Sequence, residues 1–149
     1  MHILERRQAF TCSAETLWQF ISRPENLNAI TPPDLDFEIR SNVPERMYDG
    51  LLIEYRVRIP VLGKQGWVTE IKHIRDGISF VDEQRFGPYR FWFHYHEVIP
   101  TDAGADMIDR VHYVAPFGVL GRMVETFFIR KTLKQIFDFR RERLHEMFN

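Results

Sequence analysis

A chain of 149 residues that is 44% apolar and 28% charged has the size and balance of one globular domain spanning 1–149, which excludes a disordered tail and a multi-domain enzyme. The formal net charge of -1, with both signs interspersed, supplies no field to draw nucleic acid or an anionic membrane, so a small molecule or a protein is the expected partner. The single cysteine, Cys12, excludes an internal disulfide and a cysteine zinc cluster, and no apolar run approaches the roughly eighteen residues of a membrane span. With charges breaking the N-terminal MHILERRQAF, the expectation is a cytoplasmic protein without a signal peptide. Thirteen Phe, five Tyr and three Trp are more large rings than a core of this size buries easily, so some are predicted to line a cavity.

Residues 2–11 alternate without helical spacing and predict an opening strand. Ser13, with Glu15 and Thr16 in the following turn, caps a short helix whose apolar stripe is Leu17, Trp18, Phe20 and Ile21. Pro24 opens a second helical turn or two over 24–31, which Pro32 and Pro33 stop. Six strands follow, at 36–41, 51–59, 66–74, 79–85, 89–99 and 105–114, separated by turn residues around Gly50, Gly63, Gly77, Gly87 and Gly104. Short connections make neighbours antiparallel, giving seven strands in one sheet. Residues 121–148 recur at helical spacing through Met123, Val124, Phe127, Leu133, Ile136, Phe137, Leu144 and Met147. A helix of that length, about 40 Å, has to lie across the whole sheet. The order contains no βαβ repeat, which argues against a parallel nucleotide-binding sheet.

Four stretches carry a family resemblance: TCSAETLWQFISRPENLNAITPP, FVDEQRFGPYRFWFHYHEV, MIDRVHYVAPFGVLGRM and FIRKTLKQIFDFRRERLHEMF. Together they resemble the START-like superfamily (SRPBCC, the helix-grip fold), which includes polyketide cyclase-like and coenzyme Q-binding proteins. The resemblance implies an α+β fold in which a curved antiparallel sheet wraps a long C-terminal helix. It also implies a cavity between them for a lipid, quinone, polyketide or other apolar ligand. Function varies widely across that fold, so the likeness points to a ligand class and not to a reaction.

On the strand 89–99, alternation puts Arg90, Trp92, His94, His96 and Val98 on one face and Phe91, Phe93, Tyr95 and Glu97 on the other. A turn centred between Asp102 and Ala103 sets His96 opposite Asp109, His94 opposite Val111 and Trp92 opposite Tyr113, whereas a one-residue slip removes the His–Asp partnership. Hydrophobicity alone leaves the inward face open. The family's Trp-x-His-x-His pattern, as Trp92, His94 and His96, implies the cavity face, where the imidazoles would orient the polar end of an apolar ligand. The alternative is a polar ladder in solvent.

Two His and a facing carboxylate also match a two-His, one-carboxylate ligand set. A hydrogen-bonded histidine is the commoner use, so no metal and no cofactor are assigned. Of Asp82 and Glu83, one must share the face of Trp92; in an apolar cavity its pKa would rise into a range useful for acid–base work, and Glu83 is carried as the candidate. The basic run Arg130, Lys131, Lys134, Arg140, Arg141 and Arg143 reads as a solvated helix face, and His145–Glu146 as a solvated helix end.

The first functional expectation is a carrier, sensor or chaperone for a small hydrophobic molecule. Its cavity would be lined by Tyr55, Val57, Trp67, Trp92, His94 and His96, with Tyr113, Phe117, Phe127 and Ile136 completing the wall. Phe117, between Pro116 and Gly118, would form part of a mobile mouth. The second is a polyketide cyclase, aromatase or dehydratase using His94, His96, Asp109 and Asp82 or Glu83 to move protons, although no complete catalytic constellation is legible. The third is an interaction module engaging a protein partner through the exposed face of its sheet.

Overall fold

The computed structural model describes residues 1–59, 63–115 and 122–149, with the side chains of 122–127 outside that description. Strand β1 (His2–Phe10) leads into helix α1 (Ala14–Ile21), whose first turn is capped by Ser13 Oγ accepting the Thr16 amide at 3.1 Å. Two 3-10 segments follow, Pro24–Ile30 and Pro33–Leu35, each begun by proline at a position where its missing N–H costs nothing. The second was not expected: Pro33 starts a new turn instead of ending the helical region, and Asp36 takes a left-handed conformation (φ 46°) at its end. That geometry delays pairing, so the strand expected over 36–41 shrinks to β2 (Glu38–Ile39).

Strands β3 (Leu52–Ile59), β4 (Gly63–Arg75), β5 (Ser79–Phe86), β6 (Phe91–Thr101) and β7 (Gly104–Val114) complete a seven-stranded sheet ordered β1-β7-β6-β5-β4-β3-β2. Every neighbouring pair is antiparallel. The ladder between β4 and β5 slips between Lys72 and Arg75, where His73 has φ 56°, a bulge of the kind that bends a strand. The sheet curls around helix α2 (Arg122–Phe148).

Leu133, Phe137, Arg140 and Leu144 recur every three to four residues and make the buried stripe of α2, while Met147, expected on it, is exposed. The concave face contributes Ile53, Tyr55, Val57, Trp67, Ile71, Phe80, Trp92, Met107, Val111 and Tyr113 to the same core. The convex face carries exposed pairs such as Arg7–Asp106 and Glu5–Arg110. No helix among the described residues is long and apolar enough to cross a membrane.

The turn joining β6 to β7 fixes the register on which the site depends. Thr101 pairs with Gly104 across two residues, and the ladder then runs His96↔Asp109, His94↔Val111 and Trp92↔Tyr113. Gly104 has φ +143°, and a Cβ there would lie 2.2 Å from the Phe10 carbonyl oxygen. Only glycine lets β1 and the β6–β7 turn approach this closely.

Candidate functional site

Between the sheet, α2 and the 3-10 segments lies a cavity of about 190 Å³. Its walls are mainly apolar: Leu35, Ile53, Val57, Ile71 and Met107 from one side, Leu133, Ile136 and Phe137 from the helix. Rings pack edge on and face on around it, with Tyr55 stacked on Trp67 at 5.7 Å and Trp67 edge on to Trp92 at 5.2 Å. On one part of the wall Asp82 (β5) stands with His94 and His96 (β6), and Asp109 (β7) lies behind the two histidines.

Strand parity accounts for this convergence. The face of β6 carrying Trp92, His94, His96 and Val98 is the buried one. Phe80 pairs with His96 and Asp82 with His94 on one side, and His96 pairs with Asp109 on the other. All four polar groups therefore point from adjacent rows of one concave surface.

The four side chains close a ring of contacts. His94 Nδ1 is 3.1 Å from Asp82 Oδ2, and its Nε2 is 2.9 Å from Asp109 Oδ1. His96 Nε2 is 2.7 Å from the same Asp82 oxygen, and its Nδ1 is 3.0 Å from the same Asp109 oxygen. Trp92 Nε1 donates to the remaining Asp82 oxygen, Oδ1, at 3.2 Å. Phe80 stacks flat on His96 with centroids 4.3 Å apart, and Phe137 meets His94 edge on at 5.5 Å. Arg140 Nη1 lies 3.9 Å from Asp109 Oδ1, its guanidinium passes over the Phe137 ring at 4.9 Å, and its buried Nε has no hydrogen-bond partner among the described residues.

Burial by itself would raise both carboxyl pKa values, but the facing imidazoles win by charge and by hydrogen bonding and hold Asp82 and Asp109 well below the usual carboxylate range. This corrects the expectation that a cavity carboxyl here would be raised. For His96, burial opposes the charged form, yet hydrogen bonds to Asp109 and Asp82 and their charges outweigh it and push its pKa up. Burial also raises Tyr55 well above the usual phenol value.

Tyr55, Val57, Trp67, Trp92, His94, His96 and Ile136 all line the cavity. Tyr113 is buried behind it, against Tyr89 and Trp92. Phe117 and the expected mouth around it lie outside the described residues, as does the side chain of Phe127. Glu83 is the correction among the acid–base candidates. It pairs with Phe93, on the convex face, and its carboxylate bonds Lys72 Nζ beside Glu70. The cavity carboxylate is its neighbour Asp82. Arg140 corrects the reading of the basic helix face: only 9% exposed, it belongs to the buried stripe, and its spacing from Leu133, Phe137 and Leu144 was the signal. His145 is exposed at the helix end, as expected. Asp82, His94 and His96 are the described residues whose donor atoms could jointly hold a metal ion, lying within 4.8 Å of one another.

No family model and no curated protein matches the chain. Solved structures do. Protein CV1439 from Chromobacterium violaceum is similar over 99% of this chain and 98% of its own, with a TM-score of 0.73 at 11% identity. A START superfamily protein from Mycobacterium smegmatis matches over 99% of both chains, with a TM-score of 0.69 at 13% identity. A nucleoside-diphosphate sugar epimerase from Corynebacterium glutamicum matches 96% of this chain with 28% of its own length, at a TM-score of 0.68 and 20% identity. At these identities the likeness establishes the fold, a START-like helix grip, and does not extend to ligand or reaction.

Proposed function

We propose that this START-like chain binds one small hydrophobic molecule between its sheet and α2, with the molecule's polar end at the Asp82, His94 and His96 wall. The observation that carries the reading is a mainly apolar, ring-lined cavity in which Asp82, His94 and His96 stand together on one part of the wall. Its volume of about 190 Å³ limits the occupant. An apolar cavity of roughly 150 Å³ takes a benzene molecule, so this one suits a single substituted ring or a short chain. A full-length lipid or a multi-ring polyketide needs the helix to move outward. Burying about 200 Å² of ligand at roughly 25 cal/mol per Å² contributes about 5 kcal/mol before association costs, only millimolar binding. Tight binding therefore depends on the polar patch. A carrier, sensor or chaperone role inside the cytoplasm follows from this reading and from the absence of an internal disulfide.

A cyclase or dehydratase reading draws on one observation: His96, with its pKa pushed up, is a proton donor facing the cavity. Against it, both aspartates are held ionised and every imidazole nitrogen is engaged, so a base becomes available only if a substrate opens the ring.

The test combines native mass spectrometry of the purified chain with calorimetry of single-ring phenols and short-chain fatty acids. Saturable binding with a negative heat-capacity change, abolished by filling the cavity with Val57→Trp, is the expected result. Binding that Val57→Trp leaves unchanged, in a variant with native circular dichroism, would show that the cavity is not the site. Turnover of a bound phenolic or enol compound that His96→Gln removes would favour the enzyme reading.

A further inference from the structure

Each imidazole at the polar wall faces two acceptors. His94 presents Nδ1 to Asp82 Oδ2 and Nε2 to Asp109 Oδ1; His96 presents Nε2 and Nδ1 to the same two oxygens, all at 2.7–3.1 Å. A neutral imidazole has one N–H. With both rings neutral, two of these four contacts set a nitrogen lone pair against a carboxylate oxygen. Two added positive charges remove the conflict. Two protons can supply them, at the cost of two imidazolium rings with centroids 3.7 Å apart in a buried site. One divalent cation can supply them with both rings neutral.

The two ends of the ring are not equivalent. At Asp109 the Arg140 guanidinium, 3.9 Å away, repels a cation, and Asp109 does not line the main cavity. At the other end Asp82, His94 and His96 all line it. Trp92 occupies Asp82 Oδ1 and leaves Oδ2, the oxygen that both imidazoles face, as the donor.

We propose that Asp82, His94 and His96 form a three-ligand site for a first-row divalent transition-metal ion, open toward the cavity, with Asp109 fixing both imidazole tautomers from behind. Two imidazoles and one carboxylate suit Zn²⁺, Co²⁺ or Fe²⁺ better than Mg²⁺ or Ca²⁺. A carboxylate accepting the distal N–H of each ligating histidine is the usual outer arrangement of such sites, and Asp109 accepts both. Metal–ligand bonds of about 2.0–2.1 Å in tetrahedral geometry space donors about 3.4 Å apart, so the Asp82 contacts, 3.1 and 2.7 Å here, have to lengthen to admit an ion among donors that all lie within 4.8 Å of one another. Three protein ligands leave a position facing the cavity. An oxygen of the cavity's occupant, as carboxylate, enolate or phenolate, has the chemistry to take it. The site does not depend on the hydrophobic-ligand reading, because metal uptake is measured without any organic ligand.

The experiment uses the full chain without an affinity tag, stripped with a chelator and titrated with Co²⁺ and Zn²⁺. Visible absorption follows Co²⁺, and calorimetry gives the stoichiometry and affinity for each ion. The expected result is one equivalent of Co²⁺, displaced by Zn²⁺. Asp109→Asn should weaken binding about 10- to 100-fold while keeping the stoichiometry, and His94→Ala, His96→Ala and Asp82→Asn should each abolish the visible spectrum. Glu83→Gln, on the other face of the sheet, should bind like the unaltered chain. Absence of saturable uptake overturns the proposal. So does uptake that survives in a folded Asp82→Asn or His94→Ala chain, which would place the ion elsewhere.

Discussion

Replacing Asp109 by asparagine in the metal-free chain removes one negative charge and little volume from a position that is 4% exposed. The carboxylate faces His94 at 2.9 Å, His96 at 3.0 Å and Arg140 at 3.9 Å, and among the described residues the only other carboxylate touching the ring is Asp82. Removing one partner of a buried charged set leaves the others uncompensated, a loss of about 3 kcal/mol. For a domain of this length that is a drop in Tm of about 6–12 °C. The loss should also depend on pH, with a definite sign. The folded pKa of His96 is raised, so the stability its charge contributes is fully present below the usual imidazole value of about 6.5 and disappears as pH rises through the raised value. Asp109→Asn therefore costs most near pH 5.5 and less at high pH. Urea denaturation of both chains at several pH values measures it, with unchanged m-values confirming comparable unfolded states. A loss below about 1 kcal/mol at pH 5.5, or one that grows with pH, would refute the charge accounting.

Glu83→Gln, by contrast, removes an outward pair with Lys72 and should change stability by no more than about 1 kcal/mol, read in the same denaturation experiment. Gly104→Ala must place a Cβ against the Phe10 carbonyl and should cost more than about 2 kcal/mol, whereas Gly77→Ala, with φ +75° but open space around it, should cost only about 1–2 kcal/mol of backbone strain. The unaltered metal-free chain should lose stability as pH falls below about 4, because Asp82 and Asp109 have depressed folded pKa values whose contribution exists above the usual carboxylate range and vanishes on protonation; thermal melts from pH 6 to pH 2 follow it.

Which parts of the site were legible in the sequence follows from how each is encoded. The partnership of His96 with Asp109 was readable because a two-residue turn fixes an antiparallel register, and the ladder from Thr101↔Gly104 to Trp92↔Tyr113 is unbroken. The choice between Asp82 and Glu83 was not, because β5 and β6 are joined across 87–90, where the turn does not fix parity; only the folded structure sets Asp82 opposite His94. Arg140 was hidden by its residue type. Arginine among five other basic residues reads as solvated, although its place three residues after Phe137 and four before Leu144 was visible. The second 3-10 turn and the shortened β2 rest on the left-handed Asp36, a local backbone choice that hydrophobic pattern does not report.

The concave rows holding the polar wall are otherwise apolar: Ala105, Met107, Val111 and Tyr113 flank Asp109 on β7, and Trp92 and Val98 flank the histidines on β6. Nothing in the helix-grip packing requires charge in those rows. Four ionisable groups are taken out of water there, each facing two of the others, so losing any one is costly. Asp82, His94 and His96 of that ring line the apolar cavity, and on the proposed reading their role there is toward the occupant.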